Sequence, residues 1–375
     1  MKRILFITHN FKGGGIQKIT LDTARYLAQQ GNDVTLLALE EGLDFQLDFQ
    51  CAYNVLPVKE LLYKHPFLGF YFLFYKIFLR KIFPQSEHLW AGIVYKKVFM
   101  EYYKNQQPFD AIFINGARSM NRLHSINLSQ AVYSLHLPHV LAKKDNVYYN
   151  FLFKKLFLNK KVFTVSDFIK NPILKKSIQL SIPLKCLETI YNPCDKTDLL
   201  EKSKDEINFN GKFILAVGRL SRQKRFDVLI DAYHLADINL PLIILGEGNQ
   251  RKALEKKIDQ LNLNKKIFLK GFDENPFKWM NRCEFFVLSS DLEGFVLVIN
   301  EALACGAPII ATDCGPVTEI LTGELQQGIV PKQDPIALAN KIKQFIDNPI
   351  YPSEDVIDKL SFSYITESQI KLALQ

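Results

Sequence analysis

Short apolar segments alternate with helix-spaced segments along the whole chain. Between the apolar runs at 3–8 and 33–39, apolar side chains recur at helical spacing over 16–30, and Gly31 follows as a stop signal. This pattern predicts a strand, a helix and a second strand. Further strands of the first half are predicted at 111–115, 131–135 and 161–165.

The second half of the chain repeats this order. Its apolar runs are continuous instead of alternating, which is typical of parallel sheets buried on both faces. Each half is therefore predicted to be a doubly wound α/β sheet, and such sheets bind ligands at the carboxyl ends of their strands. The predicted strands are 213–217, 242–245, 266–269, 285–288, 308–312 and 328–330, and the predicted helices are about 225–238, 249–262, 274–282 and 295–305.

The length of 375 residues favours two domains, because single cores seldom grow beyond about 300 residues. We place the seam at Asn192-Pro193, which gives a first domain at 1–191, a second at 192–350 and a closing helical segment at 351–375. Two such domains are expected to face each other across a cleft.

Charge distinguishes the two halves. Residues 1–200 contain 26 Lys and Arg against 15 Asp and Glu, whereas residues 201–375 contain 21 against 24. A basic half suits nucleic acid, an anionic membrane or a phosphorylated substrate. The six cysteines form no CxxC pair, which argues against a zinc ribbon or a disulfide scaffold and predicts free thiols in a cytoplasmic protein.

Two loops that follow predicted strands carry glycines or cations. The loop 10–18 contains Gly13-Gly14-Gly15 before a helix, where backbone can approach an anion closely; a tight turn is the alternative. It matches neither Walker A nor GxGxxG. The loop 218–225 contains four cations, which together suit a diphosphate; a solvated basic loop is the alternative. These cations are Arg219, Arg222, Lys224 and Arg225.

The segment 289–302 carries the most specific pattern. Glu293 lies in a loop, and Glu301 follows eight residues later inside an apolar helix, where a buried carboxylate needs a partner such as a ribose hydroxyl. Backbone N–H groups at 294–297 are expected to face an anion at the helix start. A structural ion pair at Glu301, with Glu293 near the helix cap, is the alternative.

Together these motifs resemble the retaining glycosyltransferases of family GT4 (glycosyl transferases group 1), which have the GT-B fold. The sequence departs from the family at Gln17, where Glu is frequent, and at Arg225, where Gly is frequent. The resemblance covers most of the chain and is weakest over 40–110. It rests on Gly218-Arg219 with Lys224, Gly246-Glu247-Gly248, Glu293-x7-Glu301, Gly306-x-Pro308, Gly14-Gly15, Ser134-Leu135-His136, Val165-Ser166-Asp167 and Asn192-Pro193-Cys194-Asp195.

The resemblance implies two Rossmann-like domains facing an interdomain cleft, with the last helix crossing back to the first domain. It also implies front-face transfer that requires no metal and no cofactor. The implied catalytic residues are Glu293 and His136, and a structural histidine is the alternative for His136. The implied donor-binding residues are Gly14, Gly15, Arg219, Lys224, Gly271, Phe272, Gly294, Phe295, Val296, Leu297 and Glu301.

Two basic aromatic segments lie in the first half. Phe67–Phe83 contains eight aromatic residues, and its charges are Lys76, Arg80 and Lys81. The segment 143–161 carries Lys154 and Lys155 among further lysines and aromatic rings. Such stretches bind the interface of anionic membranes; a core helix with a solvated edge is the alternative. Nucleic acid is not an expected partner, because no recognition fold is apparent.

The predicted function is that of a glycosyltransferase, peripheral on the inner face of the cytoplasmic membrane. It is expected to move a hexose or N-acetylhexosamine from a nucleotide sugar, UDP-linked, to a lipid-linked or lipopolysaccharide acceptor in surface polysaccharide biosynthesis. The alternatives are a non-catalytic GT-B-like subunit that recruits enzymes to the membrane, and another GT-B activity such as a sugar epimerase.

Overall fold

The computed structural model describes residues 1–12, 14–58, 60, 66–83, 87–354 and 361–375. The chain forms two compact units: one comprises Met1–Tyr191 together with Phe362–Gln375, and the other comprises Asn192–Ser361. Gly13 of the first glycine loop, and Val356 and Leu360 of the helical pattern near the carboxyl terminus, lie outside the described residues.

The first unit is built on a parallel sheet of seven strands in the order β3-β2-β1-β4-β5-β6-β7. Its central strands are buried along their whole length, as their continuous apolar sequences predict. The strands are β1 (Arg3–Thr8), β2 (Asp33–Ala38), β3 (Ala52–Val55), β4 (Ala111–Asn115), β5 (Ala131–Leu135), β6 (Lys161–Thr164) and β7 (Cys186–Thr189).

Helices connect these strands. A π-helical turn over Tyr75–Leu79 joins two of them into one run, α2 and α3. The helices of this unit before the seam are α1 (Gly15–Gln29), α2 (Pro66–Phe74), α3 (Arg80–Ile82), α4 (Glu87–Lys104), α5 (Ala117–Leu123), α6 (Val140–Lys143), α7 (Val147–Phe157) and α8 (Asp167–Gln179).

The second unit has a parallel sheet of six strands in the order β10-β9-β8-β11-β12-β13. The predicted pair of doubly wound sheets is therefore confirmed. The strands are β8 (Ile214–Val217), β9 (Leu242–Leu245), β10 (Ile267–Gly271), β11 (Phe285–Leu288), β12 (Ile309–Thr312) and β13 (Ile329–Val330). The helices are α9 (Lys196–Lys202), α10 (Phe226–Ala236), α11 (Arg251–Gln260), α12 (Phe277–Met280), α13 (Leu297–Ala304), α14 (Val317–Ile320) and α15 (Pro335–Asp347), with 3-10 turns at Arg222–Lys224 and Gly323–Gly328.

In each sheet the connections reverse direction beside the first strand of the unit. These switch points lie between β1 and β4 and between β8 and β11. Loops that leave neighbouring strands in opposite directions there open a crevice at the carboxyl ends of the strands. The loops after these four strands are consequently where the structure favours a ligand.

The last helix, α16 (Phe362–Leu374), packs on the first unit. The ring of Phe362 stacks on Tyr26 of α1, with 5.4 Å between centroids. Near its other end, the buried Lys161 of β6 donates a hydrogen bond from Nζ to the carbonyl oxygen of Ala373, at 2.9 Å. None of the described helices combines the length and the apolar character that crossing a membrane requires.

Candidate functional site

The loops that follow β8 and β11 are tied together by hydrogen bonds. Ser289 Oγ donates to the carbonyl oxygen of Lys224 at 2.8 Å. The backbone N–H of Asp291 donates a hydrogen bond to Gln223 O at 2.9 Å. The Gln223 side chain donates another from Nε2 to Leu292 O at 2.6 Å. These bonds hold the two predicted motif loops in a fixed relation at the switch point of the second sheet.

Lys224 and Glu293 form an ion pair at the centre of this arrangement. Lys224 Nζ lies 2.8 Å from Glu293 Oε1, and the two side chains are only 18% and 11% exposed. The Lys224 side chain passes over Gly218, where a Cβ atom would stand 3.2 Å from Lys224 Cε. The sequence predicted both residues for the site, and the structure brings them into contact.

The backbone of Glu293 is fixed by the loop after β12. Its N–H donates to the carbonyl oxygen of Cys314 at 2.8 Å. Burial, together with the nearby charge of Glu293, raises the pKa of the Cys314 thiol to about 12. The sulfur is therefore an uncharged packing group beside the Lys224–Glu293 pair.

Of the cations in the loop 218–225, Arg225 has a structural role. Its backbone is left-handed, with φ 50°, a conformation that glycine adopts more readily than other residues. Its guanidinium binds both carboxylate oxygens of Asp227, at 3.1 Å each, and Asp291 Oδ2 at 3.1 Å. Arg219 is exposed and forms no ion pair within the described part of the chain, so its guanidinium is available to a ligand.

Three glycines allow the neighbouring loops to pack closely. A Cβ atom at Gly246 would stand 2.0 Å from the carbonyl oxygen of Gly218, and one at Gly248 would stand 2.3 Å from that of Leu220. Gly271 is left-handed, with φ +85°, and its carbonyl oxygen accepts a 2.7 Å hydrogen bond from the Gly246 N–H. The predicted residue Phe272 follows Gly271 and is 74% exposed.

Gly294, Phe295 and Val296 lead directly into α13, which begins at Leu297. The N–H groups of the first helical turn have no acceptor within a helix, which gives this terminus a partial positive charge. Glu301 lies one turn further along α13. The sequence suggested that its carboxylate is buried; the structure corrects this, because Glu301 is partly exposed and the fully buried polar residue of the helix is Asn300.

His136 ends a chain of hydrogen bonds in the first unit. Thr20 Oγ1 donates to Ile16 O at 2.8 Å, so this oxygen accepts from Asn115 Nδ2 at 2.9 Å. The Asn115 Oδ1 atom then accepts from Ser134 Oγ at 2.8 Å, and Ser134 Oγ lies 3.0 Å from His136 Nε2. The series requires His136 to donate from Nε2, which leaves the lone pair on Nδ1.

Burial lowers the pKa of His136 to about 4, so its imidazole is neutral at physiological pH. The sequence singled out His136 but not its partners Asn115 and Thr20. Asn115 ends β4 at the switch point of the first sheet. The rule that ligands bind at the ends of such strands was the signal that would have drawn attention to it.

The loop after β1 is shaped by Gly14. Its φ of +152° suits glycine, and a Cβ atom there would stand 2.7 Å from Gln17 Oε1. Gly15 then begins α1. Gln17, the departure from the family pattern, is therefore packed directly on the backbone of the predicted ligand loop.

A further polar cluster at the ends of β1 and β2 was not anticipated. Arg122 is largely buried and donates from Nη1 to His9 Nδ1 at 2.9 Å, while its Nη2 lies 2.7 Å from Glu40 Oε1. His9 Nε2 lies 3.4 Å from the same carboxylate. No local sequence motif contains this cluster, because its members are separated by about 30 and 80 positions along the chain.

Within the described residues, no group of three or more His, Cys, Asp or Glu side chains has the arrangement of a metal site. In the second unit, the loops after β8 and β11 and the start of α13 supply cations, carboxylates and backbone N–H groups. Such a set can bind and orient an anionic ligand that carries hydroxyl groups.

Residues 199–359 match the family model described as glycosyl transferases group 1. A Campylobacter jejuni protein, N-acetylgalactosamine-N,N'-diacetylbacillosaminyl-diphospho-undecaprenol 4-alpha-N-acetylgalactosaminyltransferase, is 37% identical over 202 residues. This match spans about half of each protein, 52% of this chain and 54% of the relative.

Solved structures share the fold over the whole chain. Anabaena HepE in complex with UDP and glucose has a TM-score of 0.65 at 18% identity, and the match covers 100% of this chain and 96% of that one. The lipopolysaccharide outer core galactosyltransferase WaaB in its apo form has a TM-score of 0.66 at 17% identity, with 99% of both chains covered. At these identities the likeness establishes the fold.

Proposed function

We propose that the chain, whose residues 199–359 match the family model described as glycosyl transferases group 1, is a retaining GT4-type glycosyltransferase of that family. The donor is a nucleotide sugar, UDP-linked, and the transferred group is a hexose or N-acetylhexosamine. The acceptor is a membrane-anchored glycan of lipopolysaccharide or surface polysaccharide biosynthesis, as the names of the Campylobacter relative and of WaaB suggest.

The observation that carries this proposal is the Lys224–Glu293 pair between the loops that follow β8 and β11. Lys224 supplies a positive charge at a strand end, and Arg219 supplies a second one nearby in the same loop. These cations and the start of α13 would stabilise the diphosphate as it leaves. When Lys224 turns to the diphosphate, the Glu293 carboxylate is released toward the donor sugar.

The remaining predicted residues support the same assignment. The Glu301 carboxylate, partly exposed one turn into α13, is suited to accept hydrogen bonds from ribose hydroxyls. Gly271 and Phe272 would lie by the nucleobase. His136, held as the Nε2–H tautomer, would offer its Nδ1 lone pair to a sugar hydroxyl. The first unit, with Gly14 and Gly15, would contribute to binding of the acceptor and the donor phosphates.

A transfer assay with single substitutions tests this function. Lys224→Ala and Glu301→Ala are each expected to lower transfer from a labelled UDP-sugar by at least about a hundredfold, since each removes a charged contact in the transition state. The matched controls Lys252→Ala and Glu324→Ala change exposed residues of the same unit and should leave the rate unchanged. Near-normal transfer by both site variants, with the fold intact, would overturn the proposal.

The assay also separates the alternatives. A panel of UDP-sugars is screened first by thermal shift, because a ligand of the native state raises the unfolding temperature. Binding without transfer to any lipid-linked acceptor would favour a non-catalytic subunit. Conversion of the donor sugar itself, detected as an isomeric UDP-sugar, would identify an epimerase.

We further propose that the run from α2 to α3 binds an anionic membrane. No residue of α2 is buried, and Phe67 and Phe70 are 89% and 71% exposed. This exposure speaks against the alternative of a core helix over α2, whereas Tyr75 in the following turn is buried. A contiguous exposed apolar surface marks an interaction site, and its flanking cations are suited to anionic lipids. These cations are Lys76, Arg80 and Lys81.

In the second basic segment, 143–161, only one face of α7 is available to this proposed membrane surface. Leu152, Phe153, Leu156 and Phe157 of α7 are buried, so this face belongs to the core. The exposed lysines Lys154 and Lys155 are accompanied by exposed Val147 and Phe151. Phe83, at the end of the first segment, packs on Tyr148 of α7 with 5.7 Å between ring centroids, which places the two segments side by side.

Vesicle co-sedimentation tests the membrane surface. Phe67→Ser/Phe70→Ser is expected to reduce binding to phosphatidylglycerol vesicles by about tenfold or more, because each ring contributes apolar area to the interface. Tyr351→Ser/Tyr364→Ser removes two rings that are also highly exposed and should bind as the parent protein does. Equal binding by both double variants, or binding indifferent to lipid charge, would contradict the assignment.

A further inference from the structure

A basic cavity of about 740 Å³ lies in the first unit, whereas Lys224 and Glu293 belong to the second. Its walls are one face of α4, the turn that follows α5 and one residue of α7. Four lysines line it against a single glutamate, Glu101. The lysines are Lys96, Lys97, Lys104 and Lys155.

Specific packing forms the recess of this cavity. The ring of His124 lies against Gly92 of α4, where a Cβ atom would stand 2.3 Å from His124 Cε1. Ser125 Oγ donates to the Gly92 carbonyl oxygen at 2.5 Å, and His124 Nδ1 donates to Asn121 O at 2.9 Å. The turn after α5 is thereby fixed to the helix, and a Cβ atom at position 92 would displace the His124 ring.

Among the described residues that line the cavity, positively charged side chains outnumber negatively charged ones. Lys160, which is not among the lining residues, donates from Nζ to Ile126 O at 2.7 Å and stands 5.2 Å from the ring centre of Tyr133. Burial and the charge of Lys96 lower the pKa of Lys160 to about 8. Burial, followed by the charges of Lys160 and Lys155, lowers the pKa of His124. A bound anion would relieve this mutual repulsion.

We propose that the cavity binds a phosphate or diphosphate group, with Lys96 and Lys104 among its ligands. Ammonium groups that converge on one space are suited to phosphate oxygens. The exposed apolar helix α2 packs against α4, so a phosphate bound here can belong to a lipid whose chain stays with that apolar surface. A lipid phosphate is therefore the source that the surroundings favour over a soluble one.

This inference goes beyond the proposed function, because neither Lys96 nor Lys104 is assigned to the donor site or to the membrane surface. Its test is made in a Lys224→Ala background, in which a second, donor-side diphosphate site is disabled. Lys96→Gln/Lys104→Gln is compared with Lys175→Gln/Lys185→Gln, which removes the same charge from exposed positions elsewhere in the first unit. Failure of the proposed glycosyl transfer would leave this comparison unaffected.

Two measurements distinguish the sources of the phosphate. Inorganic diphosphate is titrated by calorimetry, and binding to phosphatidylglycerol vesicles is compared with binding to phosphatidylcholine vesicles. Lys96→Gln/Lys104→Gln is expected to weaken both diphosphate binding and phosphatidylglycerol binding by about tenfold or more, with the lysine control unchanged. Loss of diphosphate binding alone would support the site but assign it to a soluble phosphate. Unchanged binding of both probes would overturn the inference.

Discussion

Lys224 and Glu293 form an ion pair in which both side chains are largely shielded from water. Replacing Lys224 by Met leaves the carboxylate without its counter-charge, which is expected to lower the free energy of unfolding by about 2 kcal/mol. The double variant Lys224→Met/Glu293→Gln should lose at least about 1 kcal/mol less than the sum of the single variants. Urea denaturation of the four proteins measures this coupling.

The exposed pair Lys212–Glu284, at 3.0 Å, is the matched control for that cycle. Exposed pairs contribute little, so its coupling energy should stay below about 0.5 kcal/mol. Additive effects at the Lys224–Glu293 pair would show that its two charges are solvated separately. The two charges would then have no coupling energy that a ligand diphosphate could replace.

His136 makes stability depend on pH. The folded protein keeps its imidazole neutral down to about pH 4, whereas an unfolded histidine takes up a proton near its ordinary pKa of 6.5. Proton uptake by the unfolded state therefore destabilises the fold as the pH falls from 6.5 toward 4. By this linkage, His136 accounts for about 2 kcal/mol of lost stability at pH 5.

The comparison that isolates this effect is His136→Gln against the parent protein at pH 7.5 and pH 5. The stability difference between the two proteins should shrink by about 2 kcal/mol at the lower pH, because the variant has no proton to gain. A constant difference at both pH values would mean that His136 is accessible to protons in the fold.

At the scale of elements, the contact between the loops after β8 and β9 depends on Gly246. In Gly246→Ala, the new methyl group would meet the carbonyl oxygen of Gly218 at 2.0 Å, so backbone must move. Gly306→Ala is the control, since Gly306 is also at positive φ but has no atom within 4 Å of the added Cβ. We expect Gly306→Ala to cost about 1 kcal/mol and Gly246→Ala at least about 2 kcal/mol more.

Urea denaturation measures the unfolding midpoint of each variant. Multiplying the shift of each midpoint by a common denaturant slope gives the two losses of unfolding free energy, which are then compared. The loop after β8 carries Arg219 and Lys224, so its displacement in Gly246→Ala should also be visible as altered proteolysis near residue 219. Equal costs for the two substitutions would indicate that the loops separate without penalty.

The central strands could be predicted from the sequence because they are buried on both faces and carry continuous apolar runs. The strands β3 and β7 were missed for the opposite reason: AYNV and CLET lie near the two edges of the sheet, none of their residues is fully buried, and neither shows a clear period. The motif loops were found because each directly follows a recognisable strand. The Thr20–Asn115–Ser134 chain was not, because its contacts join three distant elements.

The whole molecule consists of two units, of which the second is inserted between Tyr191 and Phe362 of the first. The first unit is therefore completed by α16, which follows the second unit along the chain. Phe362 stacks on Tyr26, and the Ala373 carbonyl accepts the hydrogen bond from the buried Lys161 ammonium. Without α16, that ammonium would lose a partner inside the protein, which is more costly than the loss of apolar contact alone.

Deletion of 362–375 should for this reason destabilise the first unit selectively. We expect thermal unfolding to separate into two transitions, with the lower one assigned to the first unit by loss of protection at β6 in hydrogen exchange. In the truncated chain, Lys161→Met should recover part of the lost stability, since it removes the buried charge that α16 satisfies. The same substitution in the full chain should be destabilising. A single transition at the parent temperature would show that α16 contributes nothing to the fold it closes.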